Sequence, residues 1–157
     1  MNIYVASSWR NKYQQEVVWA LREAGHTVYD FRNPRDGDHG FSWKQTDPEW
    51  EQWSTEGFIK ALKHPVAESG YLSDYNAMRA ANACVLVTPS GRSAHLEAGW
   101  MAGQGKFTAI LVMERSEPEL MYKMAHLITP SLDAVKEALN EQDRLRRIRH
   151  SGGGRYA

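Results

Sequence analysis

A single cysteine, Cys84, occurs in the 157 residues, which excludes an intramolecular disulfide framework. Its setting in Ala83-Cys84-Val85-Leu86-Val87 predicts a small buried hydrophobe rather than a reactive thiol. Neither sign of charge is in excess: 19 Lys and Arg balance 19 Asp and Glu. No overall electrostatic case for a nucleic-acid or membrane partner follows. No apolar run approaches membrane-spanning length, and the opening Asn2-Ile3-Tyr4-Val5-Ala6 lacks the basic region and longer apolar stretch of a signal peptide. A soluble cytoplasmic protein is the expectation.

Several chemical signatures are missing as well. No Gly-x-Gly-x-x-Gly follows the first apolar run, and no lysine follows Gly91-Arg92-Ser93 as a phosphate-cradling Walker loop requires. Ser93 and His95 lack the Gly-x-Ser-x-Gly spacing of a hydrolase elbow. The histidines at 26, 39, 64, 95, 126 and 150 are too scattered for a zinc site. No metal and no cofactor are expected.

What is present is an alternation of strand and helix signals. Ile3–Ala6, Thr27–Phe31, Cys84–Thr88, Thr108–Met113 and a short His126–Thr129 read as strands. Tyr13–Ala24, Asp74–Ala83, Ala94–Gly103, Glu117–Ala125 and Leu132–Ile148 read as helices, the first stopped by Gly25. Strands separated by helices imply a parallel sheet covered on both faces, hence a flavodoxin-like three-layer α/β/α sandwich of about five strands. One domain over residues 1–150 is expected, followed by a flexible tail at 151–157. The arginines clustered near the end read as a solvated helix face or as a phosphate contact.

Residues 32–64 break the alternation. This connection is too long for an ordinary strand-to-helix loop and, with Phe41, Trp43, Trp50, Trp53 and Phe58, too aromatic for disorder. It leaves the carboxyl end of the second strand, so it predicts either an aromatic lid over a flat ligand or a small satellite core. Helix starts are expected at Asp47-Pro48-Glu49-Trp50 and Ser54-Thr55-Glu56.

Two polar loops meet at the carboxyl ends of the strands, where open α/β sheets place ligands. Ser7-Ser8-Trp9-Arg10 follows the first strand, and Ser90-Gly91-Arg92-Ser93 follows the third, directly ahead of Glu97. Their serines are ordinary helix caps or, with the arginines and helix N-termini, part of a phosphate or sugar-hydroxyl site. Glu97 is either a buried nucleophile or acid/base, or a carboxylate that complements the helix dipole. His95, two residues away, is expected to point elsewhere and be satisfied at a helix surface or interface.

Together these segments resemble the nucleoside 2-deoxyribosyltransferase family, over most of the chain outside residues 32–64. Ile3-Tyr4-Val5-Ala6-Ser7-Ser8-Trp9 is similar to the family's first strand and ligand-facing loop. Asp74 resembles the acidic residue that handles the base, and Glu97-Ala98-Gly99-Trp100 followed by Gly105-Lys106-Phe107 resembles the nucleophile segment. The resemblance implies N-glycosidic bond cleavage through a glycosyl-enzyme on Glu97, with Asp74 or Asp30 as second carboxylate. It also implies a homodimer in which Met121, within Glu119-Leu120-Met121-Tyr122, contacts a neighbour's ligand. The acidic residue that transferases carry six positions before the nucleophile is Gly91 here, next to Arg92. Ser8, Arg10, Arg92 and Ser93 instead resemble the phosphate-holding loops of the family's monophosphate N-glycosidases. The expectation is therefore hydrolysis of a (deoxy)nucleoside 5′-monophosphate. Base exchange between nucleosides, or a module that binds nucleotides without cleaving them, are the alternatives.

Overall fold

The computed structural model describes residues 1–152. Five strands form one all-parallel sheet in the order β2-β1-β3-β4-β5. They are β1 (Asn2–Ala6), β2 (Thr27–Tyr29), β3 (Ala83–Thr88), β4 (Phe107–Val112) and β5 (Leu127–Thr129). Helices α1 (Gln14–Glu23), α2 (Thr55–Ala61), α3 (Pro65–Ala80), α4 (Arg92–Gly103) and α5 (Leu132–Gly152) complete the expected flavodoxin-like sandwich. Of the tail expected at 151–157, Ser151 and Gly152 end α5 and residues 153–157 lie outside the described residues.

Strand alternation divides the core into two layers. Ile3, Val5, Val85, Val87, Ala109 and Leu111 face Val17, Val18 and Leu21 of α1 and Val135 and Leu139 of α5. Tyr4, Ala6, Cys84, Leu86 and Ile110 face Met78 of α3 and Ala94, Ala98 and Met101 of α4. Cys84 is fully buried, as an apolar role requires.

Four elements depart from expectation. β2 stops at Tyr29, which leaves Asp30 and Phe31 beyond the strand. α3 starts nine residues early, because Pro65 fits the first helical position and His64 Nδ1 accepts the Val66 N–H at 3.2 Å. α4 starts at Arg92, which brings Arg92 and Ser93 into its first turn and Glu97 into its second. The helix expected over Glu117–Ala125 is only a 3₁₀ turn at Leu120–Met124. Pro118 disfavours helical backbone at Glu117 and supplies no N–H.

Of the two helix starts expected in residues 32–64, the one at Ser54 opens α2 and the one at Asp47 leads only to a 3₁₀ turn. Ser42 caps a 3₁₀ turn at Trp43–Gln45, and a second turn at Trp50–Gln52 follows. Ser54 caps α2 by accepting the Gly57 N–H at 3.1 Å. Trp43 meets Phe41, Trp53 and Phe58 edge-on at 4.8, 5.5 and 6.2 Å, and Asp47 accepts the Trp53 indole N–H at 2.6 Å. The satellite core is therefore real. It is fixed to the main body at Gly70 of α3, where a Cβ would meet Phe41 Cβ at 2.8 Å.

Candidate active site

In the order 2-1-3-4-5, chain crossovers leave β1 and β3 towards opposite faces, and the crevice between them receives ligands in this class of sheet. Asn11 holds the two loops there. Its amide donates to the carbonyls of Val87 (3.2 Å) and Pro89 (2.9 Å), and its oxygen accepts the N–H groups of Tyr13 (2.7 Å) and Gln14 (3.0 Å). Ser7 adds a hydroxyl bond to Val87 O at 2.9 Å.

A cleft of about 1590 Å³ opens above this crevice. Ser7, Ser8, Trp9 and Arg10 line it from β1, Gly91, Arg92, Ser93 and Glu97 from α4, and Asp74 from α3. Phe41, Trp43 and Trp50 of the long connection also face it, while Trp53 does not. The aromatic segment is thus both a satellite core and a wall of the cleft.

Glu97 and Asp74 are two partly buried carboxylates that line the cleft. Burial, and next the charge of Asp74, push Glu97 up to about 7. The buried Tyr4 hydroxyl favours the carboxylate, yet makes no hydrogen bond of ordinary geometry. Glu97 stands in the second turn of α4, beyond the first turn in which the helix dipole favours an ionised carboxylate, and burial raises it rather than lowering it. Asp74 is also raised by burial, against the Tyr29 hydroxyl that donates to its Oδ1 at 2.8 Å. Ser73 stands 3.0 Å from that phenol oxygen. Because the phenol has one proton and gives it to Asp74, Ser73 is the donor to Tyr29. The other Asp74 oxygen is thereby left for the cleft.

α4 has no side-chain cap at Gly91 and no acidic residue in its first turn, which leaves its leading N–H groups and positive dipole end open beside Arg92 and Ser93 of that turn. Arg10 and Arg92 are exposed at the rim.

Three residues expected at the site do not line the cleft. Asp30 is buried, and its carboxylate accepts Gln14 (2.7 Å), Gln15 (2.9 Å), Asn33 (3.0 Å) and the Arg32 N–H (3.0 Å). Those bonds hold its pKa low against burial and spend it on structure. Ser90 turns to His95, 3.5 Å away. Met121 projects from the 3₁₀ turn with 66% of its surface exposed. His95 is satisfied as expected, between Gly91 O (2.8 Å) and the Tyr122 hydroxyl (3.0 Å).

Sequence reasoning missed Tyr4, Asn11, Tyr29, Arg32 and Ser73. The polar Asn11 and the tyrosines within strands were the available signals, but their roles depend on contacts distant in sequence.

No family model matches the chain, and no curated protein matches it. Among solved structures it is similar to a 2-deoxyribosyltransferase from Bacillus psychrosaccharolyticus, at 21% identity over 87% of this chain and 90% of that one, with a TM-score of 0.55. It is also similar to the CMP N-glycosidase BcmB of Clostridium botulinum, at 15% identity over 89% of this chain and 99% of that one, with a TM-score of 0.47. The architecture of this chain is that of the 2-deoxyribosyltransferase structure: a five-stranded parallel sheet between helices.

Proposed function

We propose that this protein cleaves the N-glycosidic bond of a (deoxy)nucleoside 5′-monophosphate by double displacement. The observation that carries the reading is the meeting of Glu97 and Asp74 in one cleft walled by aromatic rings and edged by Arg10 and Arg92. The fold shared with a 2-deoxyribosyltransferase supports it. The Glu97 carboxylate attacks C1′, and the C1′–N bond electrons leave with the base, which takes the Asp74 proton. Water then attacks C1′, returning one proton to Asp74, and the ester oxygen leaves as the Glu97 carboxylate. Proton and charge are restored over the cycle.

The cleft exceeds the roughly 300–1,000 Å³ usual for small-molecule sites, which leaves room for a second base in place of water. Base exchange is therefore the second reading. The exposed Leu120 and Met121 fit a homodimer whose neighbouring copy approaches the cleft, a state that sedimentation measures.

The test is free-base release from a panel of the four deoxynucleosides, their ribose counterparts and all the 5′-monophosphates, with and without a second base. Release from a monophosphate in water alone supports hydrolysis, and release only with an added base supports exchange. Tight binding of a panel member without turnover would assign the cleft to sensing.

A further inference from the structure

Arg32 stands three residues beyond β2, at the start of the long connection, and is not among the residues that line the cleft. Its Nη2 nevertheless reaches three carbonyls of the β1–α1 loop: Ser8 at 2.9 Å, Trp9 at 2.9 Å and Asn11 at 2.8 Å. The guanidinium lies 5.9 Å from the Trp9 ring and 5.8 Å from the Phe31 ring, which meet each other edge-on at 5.3 Å. Gly40 closes over the same pair, where a Cβ would collide with the Phe31 carbonyl. The buried Nε makes no hydrogen bond. A buried unpaired donor is costly, so the arrangement is held by what the other end of the group does.

Drawing three carbonyls to one nitrogen fixes the loop's peptide planes. In a trans peptide the C=O and N–H point oppositely, so the N–H groups of Trp9 and Arg10 turn away from Arg32. Ser8 Oγ accepts the Arg10 N–H at 3.2 Å, which locks the next residue. The side-chain acceptors of Arg32 are these three carbonyls, so the guanidinium orients backbone dipoles of the loop.

We propose that Arg32 is the positioning residue of the phosphate-recognising loop: it sets Ser8, Trp9 and Arg10 for a phosphate monoester that it does not itself touch. This rests on the monophosphate reading above, and the measurement separates the two. For the panel monophosphate cleaved fastest and its matching nucleoside, kcat/KM is compared in the wild type, Arg32→Ala and Arg32→Lys.

The wild type is expected to favour the monophosphate, and Arg32→Ala to reduce that preference at least tenfold, through KM. Nucleoside cleavage should stay within about threefold. Arg32→Lys, with three donors on one nitrogen, should recover most of the preference. Where Arg32→Ala does not fold, Arg32→Gln is read in its place. Equal losses on both substrates, or an unchanged preference, overturn the positioning role alone. A wild type without phosphate preference overturns the phosphate reading and this proposal together, and one that releases no base overturns the proposed function as well.

Discussion

At the scale of single residues, the tension at Glu97 yields two predictions. A nucleophile contributes a bond that exists only along the reaction path, so Glu97→Ala should abolish base release. Ligand affinity, read by calorimetry, should stay within about tenfold, or roughly 1.4 kcal/mol; near-normal turnover in the variant sinks the mechanism. The second prediction concerns stability. Folding raises Glu97 from 4.5 to about 7, so the folded state holds this proton more tightly than the unfolded one. Stability from that proton is complete below the unfolded value and is lost as pH rises towards 7. Glu97→Gln removes the cost of the buried charge. Its melting temperature should exceed that of the wild type by several degrees at pH 8, and the gap should narrow towards pH 5. A gap independent of pH would show that Glu97 is not held against its ionisation. Glu97 was conspicuous in the sequence as a carboxylate behind a Gly/Ser loop, whereas Asp74, inside α3, was reachable only through the family resemblance. Tyr4 and Tyr29 were not legible, since a tyrosine in a strand is by default core, and only the pairing of β1 with β3 brings Tyr4 beneath Glu97.

At the scale of elements, α3 carries Asp74 and is secured at both its middle and its end. Lys106 donates to the carbonyls of Met78 (2.6 Å), Arg79 (2.8 Å) and Ala81 (2.8 Å), closing the helix terminus with a charge. Lys106→Met strands those acceptors and should cost about 1–3 kcal/mol in denaturant unfolding; an unchanged midpoint would show that water replaces the lysine. Gly70 is the other anchor. Alanine in mid-helix ordinarily stabilises by about 0.5–1 kcal/mol relative to glycine. Here the added methyl meets the root of Phe41, which a rotamer change cannot relieve. Gly70→Ala should therefore destabilise, and should alter the intrinsic tryptophan fluorescence as Phe41 and Trp43 shift. Stabilisation by that substitution would mean the satellite core is free to slide. The five strands were legible because apolar runs bounded by polar turns have few other readings. The first half of α3 was not, because Pro65, Ser69 and Gly70 dilute its helical period. The helix expected over Glu117–Ala125 does not form, because Pro118 overrides its apolar spacing.

At the scale of the whole molecule, the arginines at the rim imply a selectivity that a neutral chain does not advertise. Arg92 stands at the open start of α4, and a charge-assisted hydrogen bond contributes roughly 1.5–3 kcal/mol. Arg92→Ala should lower kcat/KM for a monophosphate by about ten- to a hundredfold and leave the matching nucleoside nearly untouched. Equal losses on both substrates would make Arg92 a scaffold residue. The sandwich itself was legible from alternation alone, whereas the height of the cleft wall was not: it depends on residues 32–64 folding back onto α3.

The bonds from Ser7 and Asn11 to Val87 and Pro89 also order events in time. They join positions 76 to 80 residues apart, as does the pairing of β1 with β3. Closing so long a loop is entropically slow, and it cannot occur on a ribosome until β3 has emerged. At about 5–20 residues per second, the polar loop after β1 waits several seconds for its partner. A nascent chain stalled before β3 carries most of the cleft's residues but lacks Val87 and Pro89, the acceptors that tie the loop after β1 to the sheet.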